Sequence, residues 1–242
     1  MKLNNSSSLP LYEQLLKNIK DEIEKNVYQT GEKIPNEIEL CDIYGVSRIT
    51  VRRAIQELVE EGILERKQGK GTFVSRKKVA RELIAVEGFS DFSKQQGINS
   101  SKKVLACEEI KASKKVADAL QIEIDSPVLK LSRLMFFDDQ PFTIDIAHYS
   151  LDRFPKLMEC IFDYESTYDV LKNIYHVNIP SSSSTKILTA IPATGMEAEY
   201  LDCEIGDMLF NIDKTVFDEQ GIPIHISTFK VPTTHIAFTI ST

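Results

Sequence analysis

Apolar residues recur at a helical period twice in the first sixty positions. Tyr12, Leu15, Leu16, Ile19, Ile23 and Val27 form one stripe, opened by Pro10 and closed before Thr30-Gly31, which predicts a first helix. Asn36 followed three residues later by Glu39 has the spacing of a helix start, and Gly45 ends that short helix. Ser47 caps a third helix, whose Val51, Ala54, Ile55, Leu58 and Val59 share one face, while Arg48, Thr50, Arg52, Arg53 and Gln56 share the other. Gly62 stops it. Ile63-Leu64 and Thr72-Phe73-Val74 then bracket Lys67-Gln68-Gly69-Lys70-Gly71, a β-hairpin with a basic, glycine-rich tip. Helices, tight turn and hairpin in this order predict a winged helix-turn-helix.

Beyond residue 83 the period shortens to that of strands. A short helix over 88–96 precedes a strand over 102–109 and a helix over 113–120. A long hairpin follows, Pro127 to Phe137 and Pro141 to Tyr149, turning at Asp138-Asp139-Gln140. Helices are expected over 155–161 and 166–175, then a strand over 184–191 and a helix over 194–201. A second hairpin, Met208 to Phe217 and Pro223 to Thr239, closes the chain. The hairpins FFDDQPFTIDI and VFDEQGIPIHI are alike, each following a helix and an acidic segment. This reads as an internal duplication and predicts an antiparallel sheet covered by helices, an α+β domain. The expected division is a winged helix-turn-helix over 8–76, a polar linker over 77–84 and a sheet domain over 85–242.

Charge sharpens this division. The net charge of −7 is unpromising for a nucleic-acid binder taken whole. Residues 1–78, however, hold 14 basic and 12 acidic residues, against 15 and 24 in the remainder. Within 47–78 the count is 9 to 4, so positive charge gathers on the third helix, the hairpin and the run Ser75-Arg76-Lys77-Lys78.

The runs PNEIEL, GVSRITVRRAI, LVEEGIL and QGKGTFV resemble the DNA-binding domain of the GntR family of bacterial transcription regulators, in register from Pro10-Leu11-Tyr12 to Val74. The resemblance implies a double-stranded DNA operator, pseudo-palindromic because a homodimer reads two half-sites. Asn36, Ser47, Arg48, Thr50, Arg52, Arg53 and Gln56 on the helices, and Lys67, Gly69, Lys70 and Gly71 in the wing, are the expected DNA-binding residues. Relatives often carry Arg where this chain has Ile38.

Strand alternation places Arg133 on one face with Leu129, Leu131, Met135 and Phe137. A guanidinium among apolar side chains needs an anion or a fork of acceptors, either an acidic neighbour or an anionic ligand. The segments GFSDF, SRLMFFDDQPFTIDIAHY, STYDVL and DEQGIPIHIS resemble the UTRA effector-binding domain of the HutC subfamily, which has the chorismate lyase fold. The resemblance implies a dimerising domain whose pocket is lined by Phe89-Ser90, Arg133, Ser166-Thr167-Tyr168 and Asp145. It also implies a small-molecule effector, such as a sugar phosphate. Ser166 additionally reads as a helix cap. Two departures stand out: Met135 replaces a second Arg found in several relatives, and in the closing strand only Lys230 keeps a positive charge, so Lys230 is the expected effector contact from that strand. Asp145 is placed differently by two arguments. An even hairpin loop sets Arg133 opposite Ile146, whereas an odd loop or a bulge brings Asp145 to Arg133.

The same residues leave other chemistry without support. Cys41, Cys107, Cys160 and Cys203 form no C-x-x-C pair, and His148, His176, His225 and His235 have no metal spacing. No catalytic triad, P-loop or dinucleotide fingerprint appears, so no metal or cofactor is expected. Asp138-Asp139 and Asp218-Glu219 read as turn residues. The amino terminus lacks a signal peptide's apolar core and no run is long enough to span a membrane, which points to the cytoplasm. The expected function is a repressor released from its operator by a small anionic effector. The alternatives are a chorismate lyase-like enzyme with an attached DNA-binding domain, and a DNA-binding dimer with no effector.

Overall fold

Capping chemistry sets the first helices. In the computed structural model, which describes residues 3, 9–67, 69–75, 78–83, 88–180 and 183–240, α1 spans Leu11–Glu24, α2 Glu37–Tyr44 and α3 Arg48–Glu60. The Asn36 side chain accepts from the Ile38 and Glu39 amides at 3.0 and 3.1 Å, and Glu39 accepts from the Asn36 amide at 2.7 Å, closing a capping box. Gly45 ends α2 with φ of 70°, a left-handed conformation open to glycine at no steric cost. Ser47 then caps α3. Strands β1, Leu64–Lys67, and β2, Gly71–Val74, pair antiparallel as the wing. Leu15, Ile19, Leu40, Tyr44, Val51, Ile55, Leu58 and Val74 close one buried core behind these elements.

The chain divides into two units, Met1–Lys78 and Val79–Thr242. In the second, β3 (Val79–Glu82) and α4 (Phe89–Gln96) precede two copies of a β-α-β-β pattern. The first copy is β4 (Ser100–Lys111), α5 (Lys114–Leu120), β5 (Pro127–Phe137) and β6 (Gln140–Ser150). After α6 (Leu157–Cys160) and α7 (Thr167–Tyr175), the second is β7 (Ser184–Pro192), α8 (Gly195–Leu201), β8 (Met208–Phe217) and β9 (Pro223–Pro232). The sheet order β4-β5-β6-β9-β8-β7 is antiparallel throughout and mirrors one copy in the other. The correspondence extends to single bonds. The Ala112 amide donates to the Ser126 carbonyl and Asp125 donates back to Ala112; Ala193, Asp207 and Gly206 repeat the pattern. Strand alternation directs Leu134 and Ile144 into a cluster with Leu201 of α8, and Leu129, Leu131, Ala147 and Tyr149 into one with α6 and α7. The sheet is thus covered on both faces.

Two expectations change and one open alternative is decided. Residues 79–82, read as linker, form β3, which pairs parallel with β10 (Ile236–Thr239); Lys77 and Ile84, at the ends of that linker, lie outside the described residues, as do Gln68 of the wing tip and Arg76 of the basic run. The reason is burial: Val79 joins Phe92, Val231 and Ile236 in an apolar cluster that the polar composition of the segment concealed. The closing strand is two strands, because the chain turns at 233–235 and β10 leaves the large sheet to pair with β3. The hairpin register, left open between two arguments, is decided by a bulge, which brings Asp145 to Arg133. The β5–β6 loop has two residues, Asp138 and Asp139, at φ of 46° and 61°, and a shift between Met135 and Phe136 then sets Arg133 opposite Asp145.

Candidate functional site

In the first unit the basic face of α3 is organised by one carboxylate. Glu37 Oε2 accepts from Arg48 Nε at 3.4 Å and from Arg52 Nε at 2.9 Å, while both arginine side chains remain exposed at 61% and 64%. One helical turn separates the two arginines, so a single acid at the start of α2 reaches both. Arg53 lies over the Tyr12 ring at 3.6 Å and bonds Glu57, and Gln56 donates to Glu60, while both side chains remain exposed. Thr50 shares a hydrogen bond with Ser47. In the wing Lys67 pairs with Glu65 at 3.4 Å and lies over Phe73, while Lys70 is exposed between Gly69 and Gly71. A Cβ at Gly71 would approach Lys33 Cε to 2.5 Å, so the wing backbone rests directly against that side chain. Ile49, 81% exposed at the amino-terminal turn of α3, escaped the sequence reading because that reading sought charge; its signal was an isoleucine off the buried stripe.

The second unit contains a cleft with about 530 Å³ of space between its walls, part of it open to solvent. Phe89, Ser90, Arg133, Asp145, Ser166, Thr167 and Tyr168, expected from sequence to act together, all line it. Arg133 Nε donates to Asp145 Oδ2 at 3.0 Å, Nη2 bonds the same oxygen, and Nη1 donates to Thr167 Oγ1 at 3.0 Å. Burial alone would disfavour the guanidinium charge, but the Asp145 carboxylate leaves the Arg133 pKa raised. The acidic-neighbour reading of Arg133 is therefore realised inside the cleft. Ser166 caps α7 by accepting from the Tyr168 amide at 3.2 Å, which turns the start of that helix toward the cleft.

Lys230 is a correction. Its register partner is Ile144, whereas Phe229 is opposite Asp145, so alternation sends Lys230 to the other face of the sheet. There it donates to Glu197 Oε1 at 2.6 Å and holds the Glu197 carboxyl below its ordinary range.

Three comparisons with known proteins bear on these sites. Residues 11–74 match the family of bacterial regulatory proteins, gntR family, and residues 95–236 match the UTRA domain. The chain belongs to the GntR family of transcription regulators. It is 50% identical over 239 residues to the HTH-type transcriptional regulator YurK of Bacillus subtilis (strain 168), covering 99% of this chain and 98% of that protein. It is 38% identical over 230 residues to a probable fructoselysine utilization operon transcriptional repressor of Escherichia coli (strain K12), covering 95% and 93%. The crystal structure of PhnF from Mycobacterium smegmatis shares the fold, with a TM-score of 0.66 and 22% identity over 96% of this chain and 99% of that one. The family is one of regulators that bind DNA and a small-molecule effector, not of enzymes.

Sequence reasoning missed Lys102, Tyr149, Lys214, His225 and Ser227, which also line the regulator's cleft. Lys214 donates to the Tyr168 hydroxyl at 3.0 Å. The matching bonds at Ala112 and Ala193 set it in the second β-α-β-β copy in the place of Arg133 in the first, an equivalence that the aligned hairpin motifs alone would have assigned to Asp213. Lys102 donates to the Glu165 carbonyl, and burial together with Arg133 lowers its pKa. His225 stacks on Tyr149 with ring centroids 5.1 Å apart; burial, then Lys214 and Arg133, hold its pKa well below the ordinary histidine value. Burial pushes Tyr149 up to about 12, so its hydroxyl stays protonated at neutral pH.

Proposed function

We propose that this regulator is a cytoplasmic repressor of a catabolic or uptake operon, released from a pseudo-palindromic operator when a small anionic effector, such as a sugar phosphate, enters the Arg133 cleft. The protein acts as a homodimer joined through residues 85–242, because one winged helix reaches only a half-site. Arg48 and Arg52 read base edges in the major groove and the Lys70 tip enters the minor groove. The effector reading is carried by the convergence on one cleft of Arg133, Lys102 and the amino-terminal turn of α7, an arrangement that suits an anion. The repressors of fructoselysine utilization among the relatives support a sugar-derived effector.

The test has two steps. A random-sequence duplex pool enriched on the full-length protein yields its operator. Operator binding is then measured with and without a panel of sugar phosphates, and the effector should weaken it about 5–150-fold, the usual range of allosteric coupling. A compound that binds the protein without changing operator affinity would instead favour a DNA-binding dimer with no effector control.

A further inference from the structure

The exposed face of α3 carries one residue that its polar surroundings do not explain. Val51, Ala54, Ile55 and Leu58 form the buried stripe, and at about 100° per residue Ile49 points nearly opposite to the middle of that stripe. It is 81% exposed, while the other exposed positions of the helix are Arg48, Arg52, Arg53, Gln56 and Glu60. Those five are polar and have partners: Glu37 accepts from Arg48 and Arg52, Glu57 accepts from Arg53, and Gln56 donates to Glu60. Ile49 gives the free unit neither core packing nor a hydrogen bond. A β-branched side chain also suits a helix less well than Arg, Gln or Glu.

Its place on the helix points to the surface that covers it. Ile49 is the second residue of α3, next to Arg48 and inside the turn that leads to Arg52. The amino-terminal residues of a recognition helix are the ones that meet base edges in the major groove. There guanine offers O6 and N7 to an arginine, and the C5 methyl of thymine is the one methyl group that a standard base pair presents. Isoleucine has no side-chain donor or acceptor, so phosphates and polar base edges gain nothing from it. Its stiff χ1 leaves little rotamer freedom to lose on docking. Four residues separate the two arginines, about 6 Å along the helix axis and a little under two base-pair steps, so a contact made between them falls beside the bases they read. We infer that Ile49 reads a thymine methyl, and that each half-site carries this thymine within about two base pairs of a guanine. The inference rests on the placing of α3 in the major groove proposed above, and adds to it a specificity residue that carries no charge.

The test uses the full-length protein and the duplex enriched from the random-sequence pool. Thymines are replaced in symmetric pairs by deoxyuridine, which keeps every hydrogen-bonding group and lacks only the methyl. At one such pair, equilibrium binding should weaken about fourfold per half-site, the contribution of one buried carbon. Ile49→Ala should leave the melting temperature nearly unchanged, weaken binding to the thymine duplex by at least that factor, and bind the thymine and deoxyuridine duplexes equally. Ile49→Val, which keeps a branched apolar tip, should retain most of the methyl preference. Three outcomes overturn the inference: deoxyuridine tolerated at every position by the wild type, a loss that persists undiminished in Ile49→Ala, or a selected half-site with no thymine near a guanine. Arg48→Ala separates that failure from failure of the underlying reading. If Arg48→Ala weakens binding to the same duplex, only the methyl contact falls. If neither Arg48→Ala nor Ile49→Ala changes affinity by twofold, or if the pool yields no preferred sequence, α3 does not read base edges and both readings fall.

Discussion

Arg133 and His225 show how single residues carry opposite burdens in one cleft. The Arg133–Asp145 pair is mostly buried, and removing one member leaves the other charged without compensation. Arg133→Ala should therefore abolish the effector response and also cost about 3–5 kcal/mol, while Arg133→Ala combined with Asp145→Ala should recover part of that loss. Urea unfolding of the two variants with Asp145→Ala closes the double-mutant cycle; an additive result would show that the pair is not coupled. His225 acts in the other direction. Its folded pKa is depressed, as is that of His148, where burial and then Lys130 and Lys115 are responsible. As pH falls below about 6.5 the unfolded chain takes up protons that the folded chain refuses. The contribution is full above that pH and is lost on acidification. Full-length protein should lose stability between pH 7 and pH 5, and His225→Phe should flatten that slope without removing the share of His148. Glu197 and Asp218, whose pKa values are lowered, act below about pH 4 and do not enter this window.

At the scale of elements, α2 and α3 are joined by Glu37 as well as by their apolar contacts. Exposed ion pairs contribute little to stability, usually less than about 1 kcal/mol. The effect of Glu37 belongs instead to DNA: it offers Arg48 and Arg52 a carboxylate that phosphate or a base edge must replace. Glu37→Gln should leave the melting temperature nearly unchanged, strengthen binding to random-sequence duplex and steepen its salt dependence, because two arginines become free to meet phosphates. A salt slope equal to that of wild type would show that Glu37 does not restrain them. Arg48→Ala and Arg52→Ala should each weaken operator binding by about 1–3 kcal/mol and relax preference at one base pair, as expected for bidentate contacts with guanine. Equilibrium binding to the selected operator and to single-base variants of it checks this.

For the whole molecule, β3 matters because it lies in the stretch that sequence assigned to a linker. Val79 contributes to the Phe92–Phe137–Ile236 cluster, and β10 has β3 as its strand partner. A fragment of residues 78–242 should fold and sediment as a dimer, whereas one beginning at residue 88 should melt lower, because it exposes β10 and opens that cluster. Residues 1–76 alone should be monomeric and bind DNA weakly. Analytical ultracentrifugation and thermal melting distinguish these outcomes, and a dimeric 1–76 fragment would move the interface to the first unit.

Local signals settled much of this protein by themselves. The capping box at Asn36, the caps at Ser47 and Ser166, the apolar stripe of α3 and the two-stranded wing depend on residues a few positions apart, so their spacing is visible in the chain. The grouping of Phe89, Arg133, Asp145 and Ser166-Thr167-Tyr168 was legible only through family resemblance. What tertiary structure decided was everything that turns on register between distant strands. A single bulge placed Asp145 beside Arg133, and strict alternation on β9 removed Lys230 from the cleft while bringing in His225 and Ser227. The pairing of β3 with β10 joins residues far apart in the chain, and no local periodicity encodes it. A strand's side-chain period is two, so one residue of slip exchanges its faces. That choice is made by the packing of the whole sheet and not by the strand itself.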